Sequence, residues 1–126
     1  MCGNTDDHAR NHAAFWDGQN LTLTPAYDIC PQARSGNEAT QAMLIIGDNR
    51  LSQISVCLEA AANFQLSHAA AIAMVAHQVK VILDHWPQVC DTAALNEVER
   101  LLLWRGQILN PFAFEGAPTE LRALVA

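Results

Sequence analysis

Apolar residues follow two different rhythms along this chain. Before about residue 50 they come in short runs broken by turn residues, and after it they recur every three or four positions. In the first part, residues 12–16 and 21–24 flank Asp17-Gly18-Gln19-Asn20. Asp-Gly favours a tight reversal, so this stretch predicts a β-hairpin. Pro25 stops the second strand and sets an extended approach to Tyr27 and Asp28. A further short strand is expected at 42–46, closed by Gly47-Asp48-Asn49.

The second part reads as helices. One is expected over about 52–63, burying Ile54, Cys57, Leu58 and Ala61. Ser67 is the expected N-cap of the longest helix, which should end near Trp86, just before Pro87. Ile72, Val75, Ala76, Val79, Ile82, Leu83 and Trp86 make one apolar stripe on it, with His77, Lys80 and Asp84 outside. Asn96 with Glu99 marks a capping-box start for a helix to about Gly106, with Val98, Leu101, Leu102 and Arg105 in register. Pro111 and Pro118 bracket a loop, and a short helix follows to the end. The expected architecture is one mainly α domain over residues 1–126, with a small β-hairpin region at its leading edge.

Composition narrows the function. About half of the 126 residues are apolar, enough for one core without metal or disulfide staples. A net charge of −6 argues against a broad nucleic-acid-binding surface. No apolar run approaches a membrane span, and Asp6, Asp7, His8 and Arg10 interrupt any signal-peptide pattern, so a cytoplasmic protein is expected. The cysteines Cys2, Cys30, Cys57 and Cys90 form no C-x-x-C pair, and reduced thiols are expected, with Cys57 in the core.

The densest polar cluster is Asn4-Thr5-Asp6-Asp7-His8-Ala9-Arg10-Asn11. Phosphoryl transfer needs a carboxylate to orient the attacking hydroxyl and oxygen ligands to hold Mg²⁺ against the phosphates. A protein-kinase catalytic loop supplies that Asp and, five residues later, a metal-binding Asn. Asp6 and Asn11 have this separation, and Asp28 follows the hairpin, where a second metal-binding carboxylate is needed. An Asp and an Asn at this spacing also occur together by chance as solvated turn residues. The added hairpin and the Asp after an aromatic residue make the constellation much rarer.

Residues 3–11 resemble the catalytic-loop signature of the HipA-like toxin kinases. Leu23-Thr24-Pro25-Ala26-Tyr27-Asp28-Ile29 resembles their metal-binding segment, and the likeness continues more loosely through 42–47 and the helices beyond. The resemblance implies a helical kinase C-lobe and transfer of the ATP γ-phosphate to a protein Ser or Thr hydroxyl. It also implies Mg²⁺ and ATP as cofactors and a toxin–antitoxin context with a helix-turn-helix antitoxin as partner. By the same resemblance Asp6 would be the catalytic Asp, and Asn11 and Asp28 the metal ligands. His8 stands where this family has His rather than Lys, either bonding the transferring phosphate or Asp6, or tying the loop together. Arg10 keeps the positive charge of the family's more usual Lys. Asp7 is expected to be solvated or to stabilise the loop.

An ATP-gripping lobe is not visible in these residues. Lys80 is the only lysine, it falls mid-helix, and there is no glycine-rich run. The chain alone is therefore expected to be inactive and to bind nucleotide weakly, with self-association through apolar surface exposed by the missing lobe. Two other readings stay open: a catalytically silent helical module that binds an antitoxin or oligomerises, and a metal-dependent hydrolase using His8, His12 and Asp28. His68, His77 and His85 are expected at the surface, and Trp16, Trp86 and Trp104 in the core or an interface. The loop of Ser35, Gly36 and Asn37 is a candidate substrate-docking point.

Overall fold

Two short strands lead into a set of helices in the computed structural model, which describes residues 1–32, 36 and 38–126. The chain is mainly α, as its periodicity predicts. Strands β1 (Ala14–Trp16) and β2 (Leu21–Leu23) pair antiparallel, with Ala14 opposite Leu23 and Trp16 opposite Leu21. The reversal is stabilised from its own side chain. Asp17 Oδ1 accepts from the Gln19 and Asn20 N–H groups at 2.8 and 2.7 Å, and Gly18 takes a φ of +100° that few other residues tolerate. The Asn20 and Gln19 bonds hold the Asp17 carboxyl below its ordinary value. Their contribution is present above the unfolded-state pKa and is lost as pH falls through the folded one.

His12 is not part of the strand. It closes a 3₁₀ turn at Ala9–Asn11 instead. The expected strand at 42–46 is also absent. Ile45 and Ile46 both donate to the Asn49 carbonyl, so the segment folds on itself and leaves only isolated bridges, Thr40 with Leu51 and Ile46 with Asn49.

Helix α1 (Ile54–Glu59) is shorter than predicted because it tightens into a 3₁₀ turn at Ala60–Phe64. It buries Ile54, Val56 and Leu58, but Cys57 is exposed at the wall of a cavity. The cysteine in the core is Cys90.

Helix α2 (His68–Thr92) starts where predicted, with Ser67 Oγ accepting from Ala70 N–H at 3.1 Å. Its stripe faces the core, Val79 fully buried and Ile72, Val75, Ala76, Ile82 and Leu83 packed around it. His68, His77 and His85 are exposed. The helix does not stop before Pro87 but runs through it. A mid-helix proline costs roughly 3 kcal/mol, because it has no N–H and crowds the preceding turn. Full burial of Cys90 one turn on favours continuation. The helix ends where Ala94 turns left-handed at φ +53°, with Leu95 N–H on the Cys90 carbonyl and Ala94 N–H on that of Asp91.

Helix α3 (Glu97–Leu103) has the predicted reciprocal cap. Asn96 Oδ1 accepts from Glu99 N–H at 3.0 Å, and Glu99 Oε2 accepts from Asn96 N–H at 2.8 Å. It ends before Gly106, as Trp104 turns extended. The stripe of Val98, Leu101 and Leu102 points outward, 66 to 70% exposed. The core is closed by the segment beyond it. A 3₁₀ turn at Pro111–Phe114 buries Phe112 and Phe114, and α4 (Thr119–Ala123) inserts Leu121. Arg105 donates to the Val125 carbonyl, tying this end down. Trp86 and Trp104 stack with ring centroids 5.1 Å apart, whereas Trp16 is exposed.

The start of the chain is anchored on the same core. Leu109 N–H donates to the Met1 carbonyl and Gly3 N–H to that of Gln107. Among the described residues, no helix is long and apolar enough to cross a membrane.

Candidate functional site

Gly3 sets the approach of the polar loop. A Cβ there would lie 2.9 Å from the Gln107 carbonyl oxygen, so only glycine fits this close backbone crossing. From that anchor the loop is held by Asn4, which makes three bonds in different directions. Its Oδ1 accepts from Asp6 N–H, its Nδ2 donates to the Asp28 carbonyl, and its own carbonyl accepts from Gln41 Nε2, each at 2.9 Å. Thr5 Oγ1 pairs with Gln32 Oε1 at 2.7 Å, and Gln32 N–H donates to the Gly3 carbonyl at 3.1 Å. The loop and the 28–32 segment are thereby laced side by side.

Asn11 and Asp28, the two predicted metal ligands, meet directly. Asn11 is buried, and its Nδ2 donates to Asp28 Oδ2 at 2.6 Å, while its Oδ1 accepts from His8 N–H at 3.2 Å. Asp28 sits in the left-handed region at φ +56°, which Asp tolerates better than most residues. Tyr27 supports it by donating from Oη to the Arg10 carbonyl at 2.7 Å. The aromatic residue before Asp28 therefore ties the Asp28 segment to the loop.

Asp6 is displayed differently. It is exposed, and its carboxylate has no hydrogen-bond or ion-pair partner among the described residues. Asp7, by contrast, lines a cleft of about 380 Å³ together with Asn4, Asn11, His12, Thr24 and Tyr27. Its Oδ1 lies 3.7 Å from His12 Nε2. His8 ties the loop through its backbone, and its buried ring Nδ1 has no partner. Cys2 Sγ faces the Ile29 carbonyl at 4.0 Å. Burial pushes the Cys2 thiol up, and the nearby Cys30 thiol acts in the same direction.

Among the described residues no three His, Cys, Asp or Glu side chains gather as a metal set. His8, His12 and Asp28 thus lack the convergence that the hydrolase reading requires. Of the predicted docking loop, Ser35 and Asn37 lie outside the described residues. Gln32 and Gln41 do structural work at the site that sequence reasoning did not find. Neither carries a local signal, because their partners come from far along the chain. Asn4 had one: an Asn two residues before a polar turn residue is an Asx-turn former.

The HipA-like C-terminal domain family matches residues 1–86, a span that contains every residue of this constellation. The chain belongs to that family. No curated protein and no solved structure matches it. In this HipA-like domain the matched region ends within α2, so α3, the Pro111–Phe114 turn and α4 lie beyond it.

Proposed function

We propose that this HipA-like domain is the catalytic lobe of a Mg²⁺- and ATP-dependent serine/threonine kinase. One observation carries the reading. Asn11 and Asp28, on separate segments, are brought side chain to side chain at 2.6 Å, and Asp6, five residues before Asn11 on the same loop, is exposed and unpartnered among the described residues. Asn11 Oδ1 and the Asp28 carboxylate are hard oxygen donors of the kind Mg²⁺ takes, and Asp28 is open to solvent. These two side chains would hold the ion, which when bound neutralises phosphate charge and orients the γ-phosphate. Asn11 must then turn its oxygen, rather than its N–H, towards Asp28's side of the loop. Asp6 accepts the proton of the substrate hydroxyl at its free carboxylate as that oxygen attacks phosphorus. Transfer of radiolabelled phosphate from ATP to casein, by a protein carrying these residues together with an ATP-gripping lobe, tests the reading. Transfer that does not depend on Asp6 would overturn it.

The metal half is testable on the chain as it stands. Mn²⁺, a paramagnetic substitute for Mg²⁺, should broaden the NMR signals of Asn11 and Asp28 before those of α3 and α4. Asp28→Ala should weaken that binding by about tenfold or more, the loss expected for a ligand oxygen. Equal broadening in wild type and variant would remove Asp28 from the metal site.

A second reading, a contact module, is favoured by the hairpin. Phe15, Trp16, Leu21 and Leu23 are all more than 60% exposed there, and such clustered apolar surface marks contact sites. A helix-turn-helix antitoxin or a second copy of the chain would cover it. Light scattering at high concentration should show a species heavier than one chain, reduced by Trp16→Ser with Leu21→Ser. A strictly monomeric wild type rules out the second copy.

A further inference from the structure

We propose that Cys2 and Cys30 form a redox pair, which a low-molecular-weight disulfide such as oxidised glutathione converts into a Cys2–Cys30 disulfide. The link would staple the start of the Asp6 loop to the segment that carries Asp28. The two cysteines sit on the strips of chain laced together at the site. Cys2 Sγ reaches the Ile29 carbonyl, which is bonded to the Cys30 nitrogen. On either side, Asn4 Nδ2 holds the Asp28 carbonyl at 2.9 Å, and Gln32 N–H holds the Gly3 carbonyl at 3.1 Å. Cys30 therefore lies between two cross-links that already fix its segment against that of Cys2.

Both are free thiols, and their surroundings differ in a useful way. Cys30 is exposed and open to a reagent from solvent, while Cys2 is half-buried. In the first step the Cys30 thiolate attacks one sulfur of glutathione disulfide. A sulfur–sulfur bond forms to Cys30, the reagent's own bond breaks, and one glutathione leaves as thiolate and takes up a proton. In the second step Cys2, having lost its proton to solvent, attacks Cys30 Sγ and expels the second glutathione. The two cysteines are oxidised and one glutathione disulfide is reduced to two thiols, so atoms and electrons balance. Neither remaining cysteine offers Cys30 the same proximity. Cys90 is fully buried near the end of α2, and Cys57 stands on α1 at the wall of the apolar cavity. The inference concerns the seam itself and holds whether or not the site transfers phosphate.

The test treats the full chain with excess glutathione disulfide at neutral pH, followed by non-reducing intact mass and peptide mapping. The expected product has lost two hydrogens, carries no glutathione, and yields one peptide pair joining Cys2 to Cys30. Cys2→Ser should stop at the first step, with glutathione retained on Cys30, whereas Cys30→Ser should form no intramolecular link at Cys2. Dithiothreitol should restore the starting mass. Closing this loop should also raise the melting temperature of the oxidised chain, a rise that dithiothreitol removes. Wild type that keeps glutathione on Cys30 without resolving, or that links Cys2 to Cys57, overturns the proposal.

Discussion

Asp6→Ala, placed in a protein that joins this domain to an ATP-gripping lobe, should reduce phosphate transfer to casein by about 100-fold or more. A positioned general base contributes roughly 10²- to 10⁴-fold, and no second carboxylate takes its place. Asp7 is adjacent in sequence but faces the cleft wall and His12. The loss should appear in kcat rather than KM, because the proposed role of Asp6 is on the hydroxyl during attack and not on ATP binding. Asp28→Ala should be at least as severe, and Asn11→Ala should weaken Mg²⁺ dependence in parallel. Circular dichroism should leave Asp6→Ala indistinguishable from wild type, since its side chain bonds to nothing in the fold. Near-normal turnover in Asp6→Ala would falsify its role. His8→Ala should cost less, a partial loss, because the loop is held by the His8 backbone and not by its ring.

Leu121→Ala should destabilise the domain by about 2–5 kcal/mol, the cost of a large-to-small change at a well-packed site. Leu121 is fully buried and is the residue by which α4 enters the core beside Val79 and Leu109. Urea denaturation should show a lower midpoint at unchanged slope. Leu101→Ala provides the contrast. It removes the same atoms from a helix whose apolar stripe is exposed, so its effect should stay within about 0.5 kcal/mol. Equal losses at the two positions would mean that α3 is covered in solution. The same measurement therefore tests both the core and the idea that the outer face of α3 is free.

The difference between these leucines shows where periodicity stops being informative. Spacing of three and four places residues on one side of a helix, but it does not say which side meets the core. In α2 the stripe faced inward because α1, the Ala60–Phe64 turn and α4 pack on it. In α3, which follows a left-handed turn at Ala94, the same spacing faces outward. Ala94 also explains the misplaced end of α2. Glycine is the usual sequence mark of such a stop, and here alanine takes its place while a proline lies inside the helix.

Local chemistry was readable in advance wherever one segment carries the whole signal. The Asp17-Gly18 reversal, the Ser67 cap and the Asn96–Glu99 box each satisfy their backbone donors with a side chain no more than three residues away. The spacing of Asp6, His8, Asn11 and Asp28 marked them as candidate site residues in the same local way. Their relation in space came from elsewhere. Gly3 crossing Gln107, Gln41 holding the Asn4 carbonyl, and Gln32 lacing the loop to the Asp28 segment are contacts between distant residues. Hydrogen bonds of this kind leave no period and no motif, because each depends on where the rest of the chain has already packed. Residue types and short-range order thus belong to the sequence alone, whereas the pairing of Asn11 with Asp28 and the approach of Cys2 to the Ile29 carbonyl exist only once the chain has closed around its core.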